Sequence, residues 1–313
     1  MADTQQYNPP LFGLNIDPAQ KNLQLAYSLA NIADSAQTDF IGIQDHPYNA
    51  QFFDTWTLLT FLAARTRHVR FLPNVINLPL RPPAVLAKAA ATLDILTEGR
   101  FELGLGAGGF WEGIASYGGS KRAPGEAFGA LAEAIAVIRT LWQPTTAEQQ
   151  VVVFSGQYYQ LVNAQPGPTP AHPIGIWLGA NRPRMLRLTG QQADGLVISS
   201  SYNPPEQVPS VQKLVDEGAQ EAGRDPLAIR RAYNLMGIIS LPGNQNIRAR
   251  RPGMIVGPAK QWIDEIVRYY YELKMDTFFF WPLMGNEQQQ AAIFVEEVVP
   301  GVKQEIASRK AQS

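Results

Sequence analysis

Short apolar stretches of strand length alternate along this chain with segments in which apolar residues recur every three or four positions. The first stretch, LFGLNI (11–16), precedes a predicted helix near 20–36, in which Leu25, Leu29 and Ile32 fall on one face. The same pairing of a strand with a helix occurs three more times before residue 143: FIGIQ (40–44) with 54–65, VRFLPNV (69–75) with 82–96, and FELGLG (101–106) with 125–142. This pattern is typical of parallel β/α units.

The alternation is interrupted between residues 144 and 173. This segment contains VVVFSGQYYQLV and then NAQPGPTPAHP, which predicts a β-hairpin followed by a loop rich in proline and glycine. Four more pairs of a strand and a helix come next: IGIWLGA (174–180) with 183–191, DGLVIS (194–199) with 205–222, RAYNLMGIISL (231–241) with 258–273, and DTFFFWPL (276–283) with 287–306. We therefore interpret 144–173 as an insertion into one series of β/α units.

Eight such units predict a closed barrel, because strands joined by helices run parallel and their crossovers are right-handed. The alternative is an open doubly wound sheet, in which a glycine fingerprint would follow the first strand. Asn15, Ile16, Asp17 and Pro18 occupy that position instead. We predict an α/β fold with one domain over residues 1–313, a single (β/α)8 TIM barrel with an insertion after the fourth helix.

The composition narrows the range of functions. The 26 Lys and Arg residues nearly balance the 27 Asp and Glu residues, for a formal net charge of −1, which favours neither nucleic acid nor an anionic membrane as a partner. The absence of cysteine excludes disulfides, thiolate metal sites and cysteine nucleophiles. No apolar run approaches the roughly 18 residues of a membrane span, and the polar start lacks the features of a signal peptide. We expect a cytoplasmic protein.

In a (β/α)8 barrel the active site lies at the carboxyl ends of the strands, so the strand assignment yields a set of candidate residues. His46 directly follows the second predicted strand, whereas His68 precedes the third strand and His172 lies in the insertion. A histidine at the position of His46 either exchanges protons and hydrogen bonds near neutral pH, or is a loop residue bonded to backbone. Asp45 either orients this histidine or caps the turn.

Two glycine-containing segments at strand ends are candidates for ligand binding. The segment 103–109 either lets a flat ligand approach the backbone or marks tight packing in the barrel. The segment before the helix near 183–191 predicts a phosphate site, because free N–H groups and the helix dipole favour anions there. The residues concerned are Gly106, Ala107 and Gly108 in the first segment, and Gly179, Ala180 and Asn181 in the second. No His-x-x-x-His or paired-carboxylate pattern occurs at the strand ends, so we predict no metal site.

With these residues in place, the sequence resembles a known superfamily, the bacterial luciferase-like flavin-dependent oxidoreductases. The most specific segment is RPPAVLAKAAATLDILTEGRFELGLGAG, within the longer match at 65–108. The segments IWLGANRPRMLRLTGQQADGLVIS (176–199) and VGPAKQWIDEIVRYYYELKMDTFFFWP (256–282) resemble its second half and its end. The resemblance extends from about residue 11 to residue 305. The superfamily includes FMN-dependent monooxygenases and enzymes that use the deazaflavin coenzyme F-420.

This resemblance implies a barrel in which the ring system of the cofactor lies over the strand ends. His46 corresponds to the active-site histidine, and Asn74-Val75 falls where members often carry a cis non-proline peptide behind the ring. Asn77 matches a polar position near the ring edge. The remaining cofactor positions match two short segments, Gly106-Ala107-Gly108 at strand 4 and Gly179-Ala180-Asn181 at the phosphate. Members often dimerise through barrel-side helices, so we expect a homodimer with 54–65 and 82–96 at the interface.

The chain departs from one branch of the superfamily at two positions. F-420-dependent sugar-phosphate and alcohol dehydrogenases carry Glu where Gly109 stands and Trp where Ala50 stands. Trp111 or Phe52 is placed to fill the vacated space, and we take Trp111 and Asp45 as candidate substrate contacts. On these departures we favour an FMN-dependent monooxygenase that receives reduced FMN from a separate flavin reductase.

Two alternatives stay open. One is F-420-linked hydride transfer with His46 as proton donor or acceptor, and the other is a flavin-free barrel that acts as a binding protein. We expect the insertion and the loop 242–254 to shape the binding site for the small-molecule substrate. Arg248, Arg250 and Arg251 in that loop either meet an anionic substrate or lie in solvent.

Overall fold

The computed structural model describes residues 7–144, 151–241 and 252–312. Its strands are β1 Leu11–Ile16, β2 Phe40–Ile43, β3 Arg70–Pro73, β4 Ile76–Asn77, β5 Leu103–Gly106, β6 Val152–Ser155, β7 Gln160–Ala164, β8 Ile176–Gly179, β9 Gly195–Ser199, β10 Arg230–Ile239, β11 Ile255–Gly257 and β12 Thr277–Pro282. Its helices are α1 Leu23–Ser35, α2 Thr55–Ala63, α3 Pro83–Leu96, α4 Trp111–Ser116, α5 Pro124–Leu141, α6 Pro183–Gln192, α7 Val208–Glu221, α8 Ala259–Glu272, α9 Glu287–Ile293 and α10 Val299–Gln312. Among the described residues, no helix combines the length and the apolar character needed to cross a bilayer.

The main sheet curves into a nearly closed barrel of parallel strands. The strands follow one another in the order β3, β2, β1, β12, β10, β9, β8, β5 and β4. Because β3 and β4 are two parts of the third predicted strand, separated at Asn74 and Val75, this order contains eight positions. A parallel bridge between Phe71 in β3 and Phe101, two residues before β5, completes the circle. The (β/α)8 barrel predicted from the sequence is therefore confirmed.

The structure adds three details that hydrophobic periodicity does not reveal. The helix α4 follows β5 but is only one to two turns long, and β11 is a three-residue strand beside β10. The last predicted helix is divided into α9 and α10 by a π-helical turn at 294–298. Arg248, Arg250 and Arg251, which we considered as substrate contacts, lie outside the described residues.

The interior of the barrel is packed with side chains, so the barrel is not a pore. Alternate strand residues point inward or toward the surrounding helices, because successive side chains of a strand face opposite sides. The inward-facing group includes three aromatic rings, with the Phe40 centroid 5.9 Å from Trp177 and 5.8 Å from Phe279. A methyl group on Gly13 would lie 2.8 Å from the Phe279 ring, so this glycine makes room for it. The cavity described below lies above this layer.

The predicted hairpin of the insertion is present as the antiparallel pair β6 and β7. Its turn is held by the carboxylate of Glu133 on α5, which accepts hydrogen bonds from the backbone N–H groups of Gln157, Tyr158 and Tyr159 at 2.8–3.1 Å. These contacts tie the hairpin to the outer helix layer. Residues 145–150 of the predicted insertion lie outside the described part of the chain.

His172 connects the end of this segment to the amino-terminal side of the barrel. Its Nδ1 lies 2.7 Å from the buried Asp94 carboxylate, and its Nε2 lies 3.4 Å from Glu102. The hydrogen bond to Glu102 and the charges of Glu102 and Asp94 raise the pKa of His172 above its ordinary value, although burial acts in the opposite direction. Because the shortest contact of the His172 ring is with Asp94, we infer that Asp94 stabilises the charged ring together with Glu102.

We expect the stabilisation by His172 to depend on pH. It is fully present below the unfolded-state pKa of about 6.5 and is lost as pH rises through the raised folded-state pKa, because over this range only the folded protein keeps the proton. Urea unfolding should therefore show that His172→Gln lowers the free energy of unfolding more at about pH 6 than at about pH 9. An equal loss at both pH values would contradict this assignment.

Candidate active site

A cavity of about 320 Å³ opens at the carboxyl ends of the barrel strands. The structure brings together in its lining six of the residues proposed from the sequence: His46, Asn74, Val75, Gly179, Ala180 and Asn181. Tyr202, Asn234, Met236 and Trp281 also contribute to the wall. Within this lining, His46 is the only side chain that titrates near neutral pH.

Three asparagines form the polar floor near the barrel axis. The Asn74 side chain donates to Oδ1 of Asn15 at 3.1 Å and to Oδ1 of Asn234 at 2.7 Å, and Asn234 donates back to Asn74 at 3.0 Å. Asn15 closes the triangle by donating to Asn234 at 3.1 Å. Asn15 and Asn234 are buried, and mutual hydrogen bonds are what makes buried amides tolerable. The triangle fixes the backbone at Asn74, where β3 ends.

The adjoining wall is the bulge between β3 and β4. The Asn74–Val75 peptide is cis, and Val75 lies against the glycines of two neighbouring strands. A methyl group on Gly106 or Gly179 would approach Cγ2 of Val75 to 2.9 Å, and one on Gly104 would overlap the carbonyl oxygen of Pro73. The glycines of β5 and β8 therefore serve close packing under the bulge, which is one of the two interpretations that the sequence left open.

His46 stands at the edge of the cavity with one side of its ring open. Its Nδ1 lies 2.8 Å from the hydroxyl of Tyr48, a residue that was not among the candidates selected from the sequence. Burial lowers the pKa of His46 below its ordinary value, and the negative charges of Asp45 and Asp17 act against this effect only in part. His46 is therefore neutral at physiological pH.

Asp45 does not orient His46 and does not line the cavity. Its buried carboxylate accepts two hydrogen bonds from Arg81, both at 3.0 Å, and one from the backbone N–H of Asn77, also at 3.0 Å. Arg81 also pairs with Asp54 at 2.6 Å, and these two carboxylates raise the pKa of the guanidinium against the effect of burial. The pair joins the loops after β2 and β4, so the structure places Asp45 in the support of the site rather than at its surface.

Five other proposed residues lie behind the cavity wall. Asn77 carries a side-chain oxygen that is buried and without a partner in the described part of the chain. Gly106, Ala107 and Gly108 lie in and after β5, and Trp111 begins α4, where its ring lies 3.0 Å from the position of a methyl group on Gly108. Neither Trp111 nor Phe52 lines the cavity, whereas Trp281 at the end of β12 does.

The start of α6 provides a place for an anion in the wall of the cavity. The residues before this helix, Gly179, Ala180 and Asn181, line the cavity, and no side chain caps its first turn. The N–H groups of an uncapped first turn carry partial positive charge and favour a phosphate or carboxylate. Arg184 is directed elsewhere, because its guanidinium lies over the Phe128 ring at 4.4 Å.

These features fit a flat redox cofactor that carries a phosphate. The Val75 bulge offers an apolar surface for one face of a ring, and the start of α6 offers donors for the phosphate. The Asn77 oxygen, buried without a partner among the described residues, adds a polar group behind this wall. No cluster of three His, Cys, Asp or Glu side chains that could hold a metal ion occurs in ranges 7–144, 151–241 and 252–312.

Curated enzymes are similar in sequence to this chain over part of their length. The chain is 31% identical over 217 residues to a 5,10-methylenetetrahydromethanopterin reductase of Archaeoglobus fulgidus, a match that covers 68% of this chain and 59% of the relative. It is also 31% identical over 196 residues to an F-420-dependent glucose-6-phosphate dehydrogenase of Amycolatopsis mediterranei, covering 61% of this chain and 57% of the relative. The matches thus span less than two thirds of these curated relatives.

Solved structures and a family profile agree with this result. An F-420-dependent secondary alcohol dehydrogenase in complex with an F-420–acetone adduct superposes with a TM-score of 0.82 at 21% identity, over 94% of this chain and 99% of that chain. At this identity the likeness supports the fold alone. Residues 11–277 match the profile of the luciferase-like monooxygenases. The chain therefore belongs to the luciferase-like monooxygenase family, as its sequence predicts.

Proposed function

We propose that this protein is a luciferase-like oxidoreductase that binds coenzyme F-420 and transfers hydride between the cofactor and a small molecule with a carbonyl or alcohol group. The observation that carries the proposal is the cavity itself. It combines an apolar bulge at Val75, an uncapped helix start at α6 and one histidine, neutral at physiological pH, at the open edge. Such a site supplies binding and orientation, while the redox chemistry comes from the cofactor.

The choice of F-420 over FMN rests on similarity to a relative that is F-420-dependent by name. The glucose-6-phosphate dehydrogenase of Amycolatopsis mediterranei, which carries this name, is 31% identical to this chain. The absence of Glu at Gly109 and of Trp at Ala50 favours FMN, but it concerns two substrate classes only. We therefore do not carry the sugar phosphate of that relative over to this chain.

The residues of the chain would act in three ways. Val75 would support one face of the cofactor ring, and the N–H groups around Asn181 would hold its phosphate. Bound F-420 supplies the hydride. His46 would donate a hydrogen bond to the substrate oxygen, where negative charge develops as the adjacent carbon is reduced, and preorganised donors of this kind lower the barrier most. The proton that completes the reduction would come from solvent.

The second candidate is the FMN-dependent monooxygenase with a separate flavin reductase as partner. The profile that residues 11–277 match is named for luciferase-like monooxygenases, which favours this version. The same bulge and the same helix start would hold FMN, so the two candidates differ in the cofactor and in the use of oxygen. The homodimer predicted from the resemblance also remains a proposal.

Incubation with each reduced cofactor distinguishes the candidates. We expect oxidised F-420 to bind tightly enough to be measured by its fluorescence, and reduced F-420 to give no oxygen uptake above the rate of the free cofactor. Tight binding of reduced FMN with accelerated oxygen uptake would overturn the F-420 proposal in favour of the monooxygenase. Failure of both cofactors to bind would overturn both candidates and leave the flavin-free binding protein.

A further inference from the structure

The side chain of Tyr48 is the only hydrogen-bonding partner that the described part of the chain provides for the His46 ring. Its hydroxyl oxygen lies 2.8 Å from Nδ1, and the two ring centroids are 5.6 Å apart. No described residue hydrogen-bonds Nε2, which leaves that nitrogen for whatever occupies the cavity. The orientation of the catalytic candidate therefore depends on Tyr48.

Tyr48 is itself held in one place. The edge of Phe110 contacts its ring, with centroids 5.4 Å apart, and a methyl group on Gly113 would lie 2.8 Å from its Cδ2 atom. Its ring thus fits against α4 only because residue 113 is a glycine. A tyrosine packed in this way presents its hydroxyl to His46 from a fixed position.

The protonation of the pair follows from its chemistry. Burial raises the pKa of Tyr48 and the negative charge of Asp45 raises it further, whereas a hydrogen bond with the side chain of Asn77 lowers it. Tyr48 therefore keeps its proton at all physiological pH values. A phenol O–H is a stronger donor than acceptor toward a neutral imidazole, so the hydroxyl donates to Nδ1 and the ring proton resides on Nε2.

We propose that Tyr48 is a positioning residue that holds neutral His46 in the Nε2–H tautomer, so that the nitrogen facing the cavity is a hydrogen-bond donor. The charged groups near His46, Asp17 and Asp45, act on it through their charge alone, because neither carboxylate is hydrogen-bonded to its ring. An Nε2–H donor stabilises a substrate oxygen that gains negative charge. Because Nε2 already carries a proton, it would be a poor acceptor for the proton of an alcohol. The inference rests on the proposed function for its catalytic meaning.

The tautomer can be measured without cofactor or substrate. The chain has three histidines, so nitrogen NMR of the protein gives few signals, and at about pH 8 a histidine of ordinary or lowered pKa, such as His46, is neutral. His46→Gln identifies the signals of His46 by their loss. We expect wild-type His46 to carry its proton on Nε2 only, with Nδ1 shifted by the hydrogen bond that it accepts. Tyr48→Phe should remove this shift and allow the second tautomer to appear.

A matched control and a kinetic measurement complete the test. Tyr117→Phe removes a hydroxyl from an exposed tyrosine that follows α4 and should leave the His46 signals unchanged. With an active substrate, Tyr48→Phe should lower kcat by about tenfold with little change in KM, since one hydrogen bond is lost. A wild-type His46 protonated on Nδ1, or Nδ1 signals unaffected by Tyr48→Phe, would overturn the inference.

The NMR result tests the role of Tyr48 independently of the cofactor-binding result, which tests the proposed function. If neither cofactor binds while the Nε2–H tautomer is observed, the assignment of Tyr48 stands and the reaction is wrong. If F-420 binds and His46 is protonated on Nδ1, the site is correct and the positioning role is wrong.

Discussion

His46→Gln is expected to lower kcat by about two to four orders of magnitude while the affinity for the cofactor changes little. The physical reason is that His46 is the single group in the cavity lining that titrates near neutral pH, and that we assign its Nε2 to the substrate and not to support of the cofactor ring. Glutamine keeps a donor of similar size but lacks the geometry of the ring and its contact with Tyr48. The measurement is steady-state kinetics together with a cofactor titration of the same variant.

The matched control for this variant is His68→Gln. His68 is an exposed histidine just before β3, at the opposite end of the barrel, and its backbone N–H rather than its ring is held by Asp34 at 2.7 Å. We expect wild-type kcat for this control. If His46→Gln retained more than about a tenth of wild-type activity, His46 would not be the proton donor or the hydrogen-bond donor of the reaction.

Gly104→Ala is expected to destabilise the protein by about 3 kcal/mol or more and to weaken cofactor binding in any fraction that folds. The added methyl group would overlap the backbone carbonyl of Pro73 and would also lie 3.2 Å from Cγ1 of Val75. Since the obstacle is backbone, no side-chain rotation relieves it, and β5 must move away from the bulge. Urea unfolding measures the loss of stability, and a cofactor titration measures the displacement of Val75.

Gly109→Ala is the control on the same segment, five residues further along. No heavy atom lies within 4 Å of the position of its methyl group, so we expect a change in stability within about 0.5 kcal/mol. Equal stabilities of the two variants would show that the contact of β5 with the bulge is not tight. In that case the wall that we assign to the cofactor ring would be wrong as well.

The barrel was predictable from the sequence because the pattern of each β/α unit can be recognised within its own residues. Apolar stretches such as 101–106 and helical stripes such as 125–142 need no knowledge of the remaining chain, and eight of them leave few topologies. What local patterns do not contain is a strand interrupted at its end, as at Asn74 and Val75. They also miss α4 and β11, which are too short to show a period.

The candidate site was predictable where position in the barrel determines it, and not where long-range partners do. His46 and Gly179 follow strands directly, so the rule for barrel active sites selects them. In the asparagine triangle, Asn74 and Asn234 are separated by 160 positions along the chain, and Asn15 and Asn234 by 219. No local signal relates Asn15 to Asn234. For the same reason the partner of Asp45 was missed, because Arg81 lies 36 residues away beyond two strands.

Tyr48 shows a different limit. It lies two residues after His46 in a loop, where tyrosine is unremarkable, and its role depends on a side-chain rotamer that brings the hydroxyl back to Nδ1. That rotamer is set by Phe110 and Gly113 from another β/α unit. Sequence proximity alone does not distinguish it from the neighbouring Pro47 or Asn49.

The central claim, that the cavity at the strand ends is an F-420 site, is tested most directly by a crystal structure of the protein grown with F-420. We predict that the ring contacts Val75 on one face, that its phosphate accepts hydrogen bonds from N–H groups at the start of α6, and that Nε2 of His46 faces the open side. A cofactor bound elsewhere, or no bound cofactor at saturating concentration, would contradict the claim.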